Sequence, residues 1–200
     1  MKRDVRNFGS GNPGATNMLR QFGFKVGIIT FALDMIKGSA AALVGFSSFG
    51  FYGNGAMIAL YACGLAAALG HCFPVIYKFR GGKGVATVVG VFLVASPIMS
   101  LIAMAVAFAY ILIWEYGAMA SFMFITILAI YQVGILEQEN LTVSILLVCF
   151  YFLIWVTHRK NIFRLLTGEE SRASILRKIK RRILDKKQQA WQESDQPIPS

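Results

Sequence analysis

The sequence has few charged residues, and it lacks positive charge over a long internal stretch. Only 15% of its 200 residues are charged, against about 25% in a typical soluble domain. All 20 Lys and Arg lie in residues 2–83 or 159–187, and the only charges between these ranges are Glu115, Glu137 and Glu139. Because the helices of a soluble protein carry charge along their exposed faces, this distribution excludes a water-soluble globular domain. We predict an all-α integral membrane protein.

Cysteine and targeting signals are also sparse. The three cysteines, Cys63, Cys72 and Cys149, lie in apolar stretches without the spacing of a metal site, so we expect small core residues and no disulfide. The first ten residues, MKRDVRNFGS, contain no apolar region and therefore no signal peptide. The net charge of +10 is not accompanied by any nucleic-acid-binding motif. Membrane topology explains it better, so we expect a lipid bilayer and no nucleic acid as its partner.

Apolar runs long enough to cross a bilayer, about 20 residues each, divide the chain. The predicted spans are 22–51, 54–77, 118–133 and 141–156, and a longer apolar run covers 86–113. Proline disrupts a helix interior, and the residue before it avoids helical geometry. We therefore split the long run at Ser96-Pro97 into a short helix and a full one. The result is a polytopic bundle of about six helical segments.

Charge predicts how this bundle is arranged. Lys and Arg collect on the cytoplasmic side, and the Ser96-Pro97 break supplies the even number of crossings that brings both basic ends to that side. The predicted parts are a cytoplasmic motif loop at 1–22, a helical bundle at 23–157 with a basic loop at 78–84, a cytoplasmic motif with a basic tail at 158–190, and a disordered end at 191–200. The tail is either an amphipathic helix on an anionic leaflet or a solvated basic segment.

The first polar cluster, GSGNPGATNMLR at residues 9–20, directly precedes an apolar run. Its composition favours neither helix nor strand, so we interpret it as a loop. Glycine amides and an arginine are suited to an anionic headgroup or a phosphate, whereas a linker would need no particular polar side chains. The candidates here are Ser10, Asn12, Thr16, Asn17 and Arg20.

A second cluster, DMIKG, places Asp34 and Lys37 three residues apart inside a span. They share a helix face and can form an ion pair. A charge at this depth is costly, so both should face the bundle interior or an aqueous cavity. The pair either neutralises itself and orients the helix, or lies beside a polar substrate.

Two further motifs complete the set of polar clusters. GHCFPVIYKFRGGKGVAT does not satisfy the nucleotide-binding pattern GxxxxGK[ST], but its Gly81, Gly82, Lys83 and Gly84 precede a helix and predict an anion site made of amides and one ammonium. His71 is either a base or a hydrogen-bonded capping residue, and we favour capping. HRKNIFRLLTGEE carries His158, Asn161 and Arg164 at helical spacing, which fits either a shared polar pocket or an ordinary basic flank.

Together the four motifs resemble the bacterial acyl-phosphate:glycerol-3-phosphate acyltransferases, the PlsY family, from about Asn7 to Glu170. This resemblance implies a polytopic helical enzyme of the cell inner membrane with a cytoplasmic active site. Such an enzyme moves an acyl chain from acyl phosphate to the 1-hydroxyl of glycerol 3-phosphate, giving lysophosphatidic acid and phosphate at the start of phospholipid synthesis. The resemblance implies no metal and no cofactor. It also implies seven helices, one of them before the first motif, where this sequence has only MKRDVRNF.

The resemblance also implies roles for individual residues. Ser10, Arg20, His158 and Asn161 correspond to catalytic positions, and Glu170 to a structural one. The glycine loop and Thr87 correspond to the glycerol 3-phosphate site, with Asn12, Thr16, Asn17 and Lys37 as further substrate-binding candidates. Asp34, His71 and Arg164 are expected to be structural. The phosphate acyltransferase that produces acyl phosphate is an expected partner.

Two rival classes of function remain open at this stage. A small organic-anion transporter or channel would also have broken helices, glycine turns and an intramembrane ion pair, although no inverted repeat is visible in the sequence. A structural membrane subunit would leave the polar motif residues without a purpose.

Overall fold

The structure is a computed structural model that describes residues 4–50, 53–136 and 140–170, together with positions 184 and 188. In this part of the chain all regular structure is helical. The helices are α1 (Ala15–Phe22), α2 (Phe24–Ser47), α3 (Gly53–Cys72), α4 (Val85–Ala95), α5 (Pro97–Trp114), α6 (Gly117–Tyr131) and α7 (Leu141–Leu166). Short 3-10 turns lie at Val5–Asn7 and Val75–Tyr77, and a π-helical turn follows α6 at Gln132–Leu136.

Five helical stretches are long and apolar enough to cross a membrane. They are Phe24–Ser47, Gly53–Tyr77, Pro97–Trp114, Gly117–Gly134 and Leu141–Leu166. Helix α4 is apolar but has only 11 residues, which corresponds to about 16 Å of helix. The predicted all-α membrane bundle is confirmed. The predicted amphipathic tail and disordered end lie outside the described residues, apart from two isolated helical positions.

The number of helices differs from the prediction because of the first motif. The described residues contain seven helices rather than six, and the additional one is α1, which lies inside the stretch that we predicted to be a loop. Its hydrophobic and polar residues segregate to opposite sides, and Gly14 precedes its first turn in an extended conformation. The composition GSGNPG does form turns as expected. The prediction was wrong for the following ATNMLRQF, whose residues pack one face of a helix against α2.

Helix α2 packs closely against α4, and small residues allow the close approach. A Cβ on Gly38 would overlap the backbone carbonyl of Thr87, and a Cβ on Gly90 would overlap that of Met35. The Ser39 hydroxyl donates a hydrogen bond to the Gly90 carbonyl at 2.8 Å. In a membrane, where apolar side chains gain little from leaving lipid, such close backbone packing is a main source of helix association.

The predicted break at Ser96-Pro97 is present, and a buried polar network lies beside it. Ser96 ends α4 with φ −151° and ψ 77°, and Pro97 begins α5. The Ser96 hydroxyl donates to Gln132 Oε1 at 3.1 Å, and the Gln132 side-chain amide donates to the Tyr61 hydroxyl. These bonds link α3, the end of α4 and the π-helical turn after α6. They satisfy buried polar groups that would otherwise be costly at this depth.

Helix α7 is longer than predicted. We expected the last span to end at Val156, but the helix continues to Leu166 and contains the whole HRKNIFR segment. Thr157 on this helix donates to the carbonyl of Lys83 at 3.1 Å. The end of α7 and the start of α4 are therefore on the same side of the bundle, as the even number of crossings requires.

Candidate active site

The polar residues of two distant motifs meet around Lys83. Its ammonium donates to Asn161 Oδ1 at 2.5 Å, and the Asn161 amide donates to Glu170 Oε1 at 2.6 Å. The second carboxylate oxygen of Glu170 is buried and has no hydrogen-bond partner among the described residues. Lys83, Asn161 and Glu170 thus form a continuous chain from the glycine loop through α7 to the residues that follow it. We refer to these three residues as the Lys83 chain.

The environment of Lys83 disfavours its positive charge. The pKa of this lysine is lowered from 10.5 to about 8, chiefly by burial and also by the positive charges of Arg164 and Arg20, while Glu170 opposes the shift. Three charged groups from the first and last motifs therefore act on Lys83. An additional anion here would compensate the excess positive charge and favour the protonated lysine.

The glycine loop differs from the expected amide nest. The Gly81 N–H donates to the Cys72 carbonyl at 3.2 Å, and the Gly82 N–H donates to the His71 carbonyl at 3.1 Å. These two amides complete hydrogen bonds at the C-terminus of α3, so in this structure they do not form the open amide nest that we expected. Glycine is needed for another reason, because a Cβ on Gly81 would overlap the His71 carbonyl and a Cβ on Gly82 would overlap the His71 ring.

Donors suited to an anion lie at the start of α4, directly after Lys83. Gly84 is its N-cap residue in the left-handed conformation, with φ 82°, and no side chain caps this end. The first amides of a helix have no partner within the helix and carry its positive dipole. The Thr87 hydroxyl in this first turn is fully buried and has no hydrogen-bond partner among the described residues. Both features are suited to a ligand that accepts hydrogen bonds, next to the Lys83 ammonium.

His158 lies next to Thr157 and is buried. Its ring packs edge-on against Phe122, with ring centroids 5.6 Å apart, and its Nδ1 is 2.9 Å from the Ile154 carbonyl oxygen. Since a carbonyl oxygen only accepts, this contact requires a proton on Nδ1. In the neutral form of His158, Nε2 is therefore the ring nitrogen that can accept a proton.

The first motif is held together by its own side chains. Asn17 is buried, its Oδ1 accepts from the Ser10 N–H at 3.2 Å, and its amide donates to the Phe8 carbonyl at 3.0 Å. Asn12 Oδ1 accepts from the Gly14 N–H at 2.8 Å. These two asparagines, which we predicted to bind substrate, make hydrogen bonds that shape the turn. The side chains of Ser10 and Thr16 are exposed.

The arginines of the first and last motifs act on Lys83 through their charge. Arg20 lies in the last turn of α1 and Arg164 in the last turn of α7. Arg164 also lines an open groove of about 420 Å³ together with Arg159, Lys160 and Phe163. Ser10 is not drawn into the chain: in the described part of the protein, no hydrogen bond joins its hydroxyl to Lys83 or Asn161.

Asp34 and Lys37 form the predicted ion pair, at 2.6 Å, and His71 joins it. Lys37 Nζ is 2.5 Å from His71 Nδ1, and that nitrogen is 3.4 Å from Asp34 Oδ1. The side chain of His71 therefore contacts the pair rather than capping a helix end, which corrects our capping interpretation. Its backbone carbonyl, as described above, accepts from the glycine loop.

Sequence reasoning missed Thr157 and the Ser96–Gln132–Tyr61 network. Thr157 directly precedes the last motif, and no local pattern distinguishes it from the other apolar-flanked residues of α7. Gln132 was visible as a lone amide at the end of a span, and a polar residue at that depth is a usable signal. The three cysteines are free, and no group of three or more His, Cys, Asp or Glu in the described residues could hold a metal ion.

Comparison with known proteins identifies the family of the chain. The family model described as glycerol-3-phosphate acyltransferase matches residues 1–168. A glycerol-3-phosphate acyltransferase of Thermoanaerobacter pseudethanolicus is 41% identical over 183 residues, which cover 90% of this chain and 86% of that protein. The corresponding protein of Finegoldia magna is 38% identical over 171 residues, 86% of this chain and 83% of its own.

Solved structures show the same similarity. The crystal structure of PlsY, an integral membrane glycerol 3-phosphate acyltransferase, in its glycerol 3-phosphate form has a TM-score of 0.76 and 39% identity, and covers 86% of this chain and 82% of that one. Its lysophosphatidic acid form has a TM-score of 0.73, also at 39% identity, and covers 82% and 81%. This chain belongs to the glycerol-3-phosphate acyltransferase family.

Proposed function

We propose that this protein transfers an acyl chain from acyl phosphate to the 1-hydroxyl of glycerol 3-phosphate at the cytoplasmic face of the inner membrane. The observation that carries the proposal is the Lys83 chain, which lies beside the uncapped N-terminus of α4. A lysine, a helix dipole and two nearby arginines form a site for a phosphate dianion. The relatives are glycerol-3-phosphate acyltransferases, and a PlsY structure is of the glycerol 3-phosphate form.

Glycerol 3-phosphate would bind with its phosphate at Lys83 and the first turn of α4. The buried Thr87 hydroxyl supplies a donor that has no hydrogen-bond partner in the part of the chain that the structure describes. Asn161 would hold the Lys83 ammonium in place through its side-chain oxygen, and Glu170 would hold the Asn161 side chain through its amide. Desolvation of Lys83 is tolerable when an anion arrives, because the new ion pair stabilises the ammonium.

Acyl phosphate would approach from the bilayer. Its chain can remain among the apolar faces of the membrane helices while its phosphate reaches the cationic side of the bundle, where Arg20 and Arg164 reduce repulsion between the two substrates. An acyl phosphate is already activated, so the protein need not form a covalent intermediate. Orientation of the two reactants can contribute up to about 7–11 kcal/mol to lowering the barrier.

The transfer step forms one bond and breaks one. The 1-hydroxyl oxygen attacks the acyl carbonyl carbon, the bond from this carbon to the phosphate oxygen breaks, and phosphate leaves. The hydroxyl proton goes to an oxygen of the departing phosphate, with Nε2 of His158 as the alternative acceptor. We favour the phosphate because, among the described residues, no carboxylate hydrogen-bonds His158, whose Nδ1 contacts a backbone carbonyl. Acyl phosphate would be supplied by the phosphate acyltransferase that produces it.

The test is the reaction itself, with purified full-length protein in detergent or liposomes. Acyl phosphate and glycerol 3-phosphate together should yield lysophosphatidic acid and phosphate in equal amounts, and omission of glycerol 3-phosphate should abolish both. An organic-anion transporter would instead carry labelled glycerol 3-phosphate into sealed liposomes without acyl phosphate. Uptake without product formation would reject the proposal.

A further inference from the structure

A cluster of three ionisable side chains lies beside the Lys83 chain but outside it. Asp34 and Lys37 belong to α2, and His71 belongs to the last turn of α3. Lys37 has no acceptor atom, so its short contact with His71 Nδ1 requires the ammonium to donate and the imidazole to accept. The same ammonium donates to Asp34 Oδ1. Lys37 therefore fixes the tautomer of His71, with the proton on Nε2.

The other edge of the His71 ring faces the glycine loop. A Cβ placed on Gly82 would overlap Nε2, Cε1 and Cδ2 of His71, so the ring fits directly against the loop backbone. Next along the chain is Lys83, whose ammonium reaches Asn161. The imidazole thus fills the space between the ion pair on α2 and the residue that precedes the substrate-binding lysine.

Backbone contacts make this arrangement rigid on both sides. The loop amides of Gly81 and Gly82 donate to carbonyls of the same helical turn that carries His71. On the α2 side, Gly38 lies against the backbone of Thr87 and Gly90 lies against that of Met35, which fixes α2 against α4, whose N-terminus begins directly after the loop. A shift of the His71 ring would therefore move the loop relative to α4 and α7.

We propose that Asp34, Lys37 and His71 form a positioning cluster that sets the place of the glycine loop and hence of the Lys83 ammonium. This inference rests on the proposed function, because the loop matters only if Lys83 binds glycerol 3-phosphate. It assigns Lys37 a role through His71 instead of a direct contact with substrate. It also assigns the intramembrane ion pair a purpose beyond neutralising its own charges.

Two single substitutions test the cluster. His71→Ala removes the ring from between α2 and the loop, and Lys37→Met removes the donor that orients it. Each should raise the KM for glycerol 3-phosphate on the order of tenfold while the KM for acyl phosphate stays unchanged. Lys37→Arg keeps a donor, so its KM for glycerol 3-phosphate should be close to that of the wild type. The matched control is Lys25→Met, an exposed lysine at the start of the same helix.

A double variant separates positioning from charge neutralisation. Asp34→Asn with Lys37→Met leaves no charge in the span, so a pair that only neutralises itself would be dispensable and the double variant would have the KM of the wild type. Positioning requires the Lys37 donor, so the double variant should keep the raised KM for glycerol 3-phosphate. A wild-type KM in this variant or in His71→Ala would overturn the inference.

Thermal unfolding and ligand binding keep the test decisive. If the variants unfold at lower temperature and lose affinity for both substrates equally, the cluster is merely structural and the inference is wrong. If the wild type makes no lysophosphatidic acid, the proposed function fails by itself. In that case the inference is tested by the rise in unfolding temperature that glycerol 3-phosphate alone produces. This rise should be smaller in His71→Ala than in Lys25→Met. An equal rise in both variants would reject the inference.

Discussion

The first motif and the Lys83 chain carry similar residues but are held in different ways. The side-chain hydrogen bonds of Asn12 and Asn17 in the first motif are local: Asn12 bonds a residue two positions away, and Asn17 bonds residues seven and nine positions away. Those of Lys83 reach residues 74 and 78 positions away on α7. The asparagines of the first motif shape a local turn, whereas the Lys83 chain exists only when the start of α4 has packed against α7.

This difference separates local from tertiary requirements of the site. The first motif should keep its shape in a damaged bundle, because its turn depends on its own asparagines. The Lys83 chain should break at the bond from Lys83 to Asn161 when α4 and α7 separate, since these two residues are 78 positions apart. The protein thus brings a locally folded element, with Ser10 exposed, to a pocket that tertiary packing assembles.

The largest expected effect concerns topology, on which the comparison depends. If the glycine loop and α7 motif meet as described, cysteines introduced at Arg80 and Lys160 lie on the same side of the membrane, and one at Asn140 lies on the other. In intact cells and a background without the three native cysteines, an impermeant thiol reagent should label Asn140→Cys and spare Arg80→Cys and Lys160→Cys. Labelling of position 160 but not 80 would separate the two motifs by about 30 Å of hydrocarbon and exclude a shared site.

Next in size is the loss of the lysine that joins the two motifs. Lys83→Ala should lower kcat/KM for glycerol 3-phosphate on the order of 100-fold, because a charge-assisted hydrogen bond to phosphate is among the strongest contacts available. The protein should still insert and be recovered from the membrane. Arg80→Ala, an exposed cation in the same loop, is the control and should change kcat/KM less than about twofold. An unchanged KM for glycerol 3-phosphate in Lys83→Ala would remove the lysine from the substrate site.

Much of the fold could be predicted from the sequence. Apolar run lengths located the spans, and the geometry of proline located the break between α4 and α5. The pair Asp34–Lys37 followed from helical spacing. These features depend on local geometry or on the cost of charge in lipid, so they leave a direct trace in composition and spacing.

The features that could not be predicted from the sequence are those that depend on the distance between two packed segments. The glycines at 81 and 82 looked like anion-binding residues, but they allow the loop to lie against α3, and their amides are used there. His71 was recognised as polar, yet its partner Lys37 is 34 positions away on another helix. Spacing along one chain contains no information about such pairs. Helix α1 was missed because turn-forming residues before it dominated the composition.

A smaller loss of activity is expected from substitution of Ser10, which lies exposed in the first motif, and substitution of the buried Ser96 should affect stability instead. Ser10→Ala should lower kcat/KM about 30-fold, equivalent to losing one hydrogen bond to a charged group of the substrate. Ser96→Ala should leave kcat/KM within about twofold but lower the unfolding free energy by about 1 kcal/mol, because Gln132 loses a buried partner. Steady-state kinetics and thermal unfolding of both variants make the comparison. Equal, mild kinetic losses would reduce the first motif to a linker.

The smallest effect comes from pH and isolates the charge of Lys83. Its pKa, lowered to about 8 mainly by burial, means that the free protein holds the ammonium below pH 8 and loses it above. A phosphate monoester has its second pKa near 6 and is already a dianion in this range, so affinity for glycerol 3-phosphate should fall as pH rises. Between pH 7 and pH 9 the protonated fraction drops about tenfold, and kcat/KM should follow it. The Lys83→Arg variant, less active in absolute terms, should show a flat profile over the same range because guanidinium stays charged. An equal decline in both proteins would assign the titration to another group.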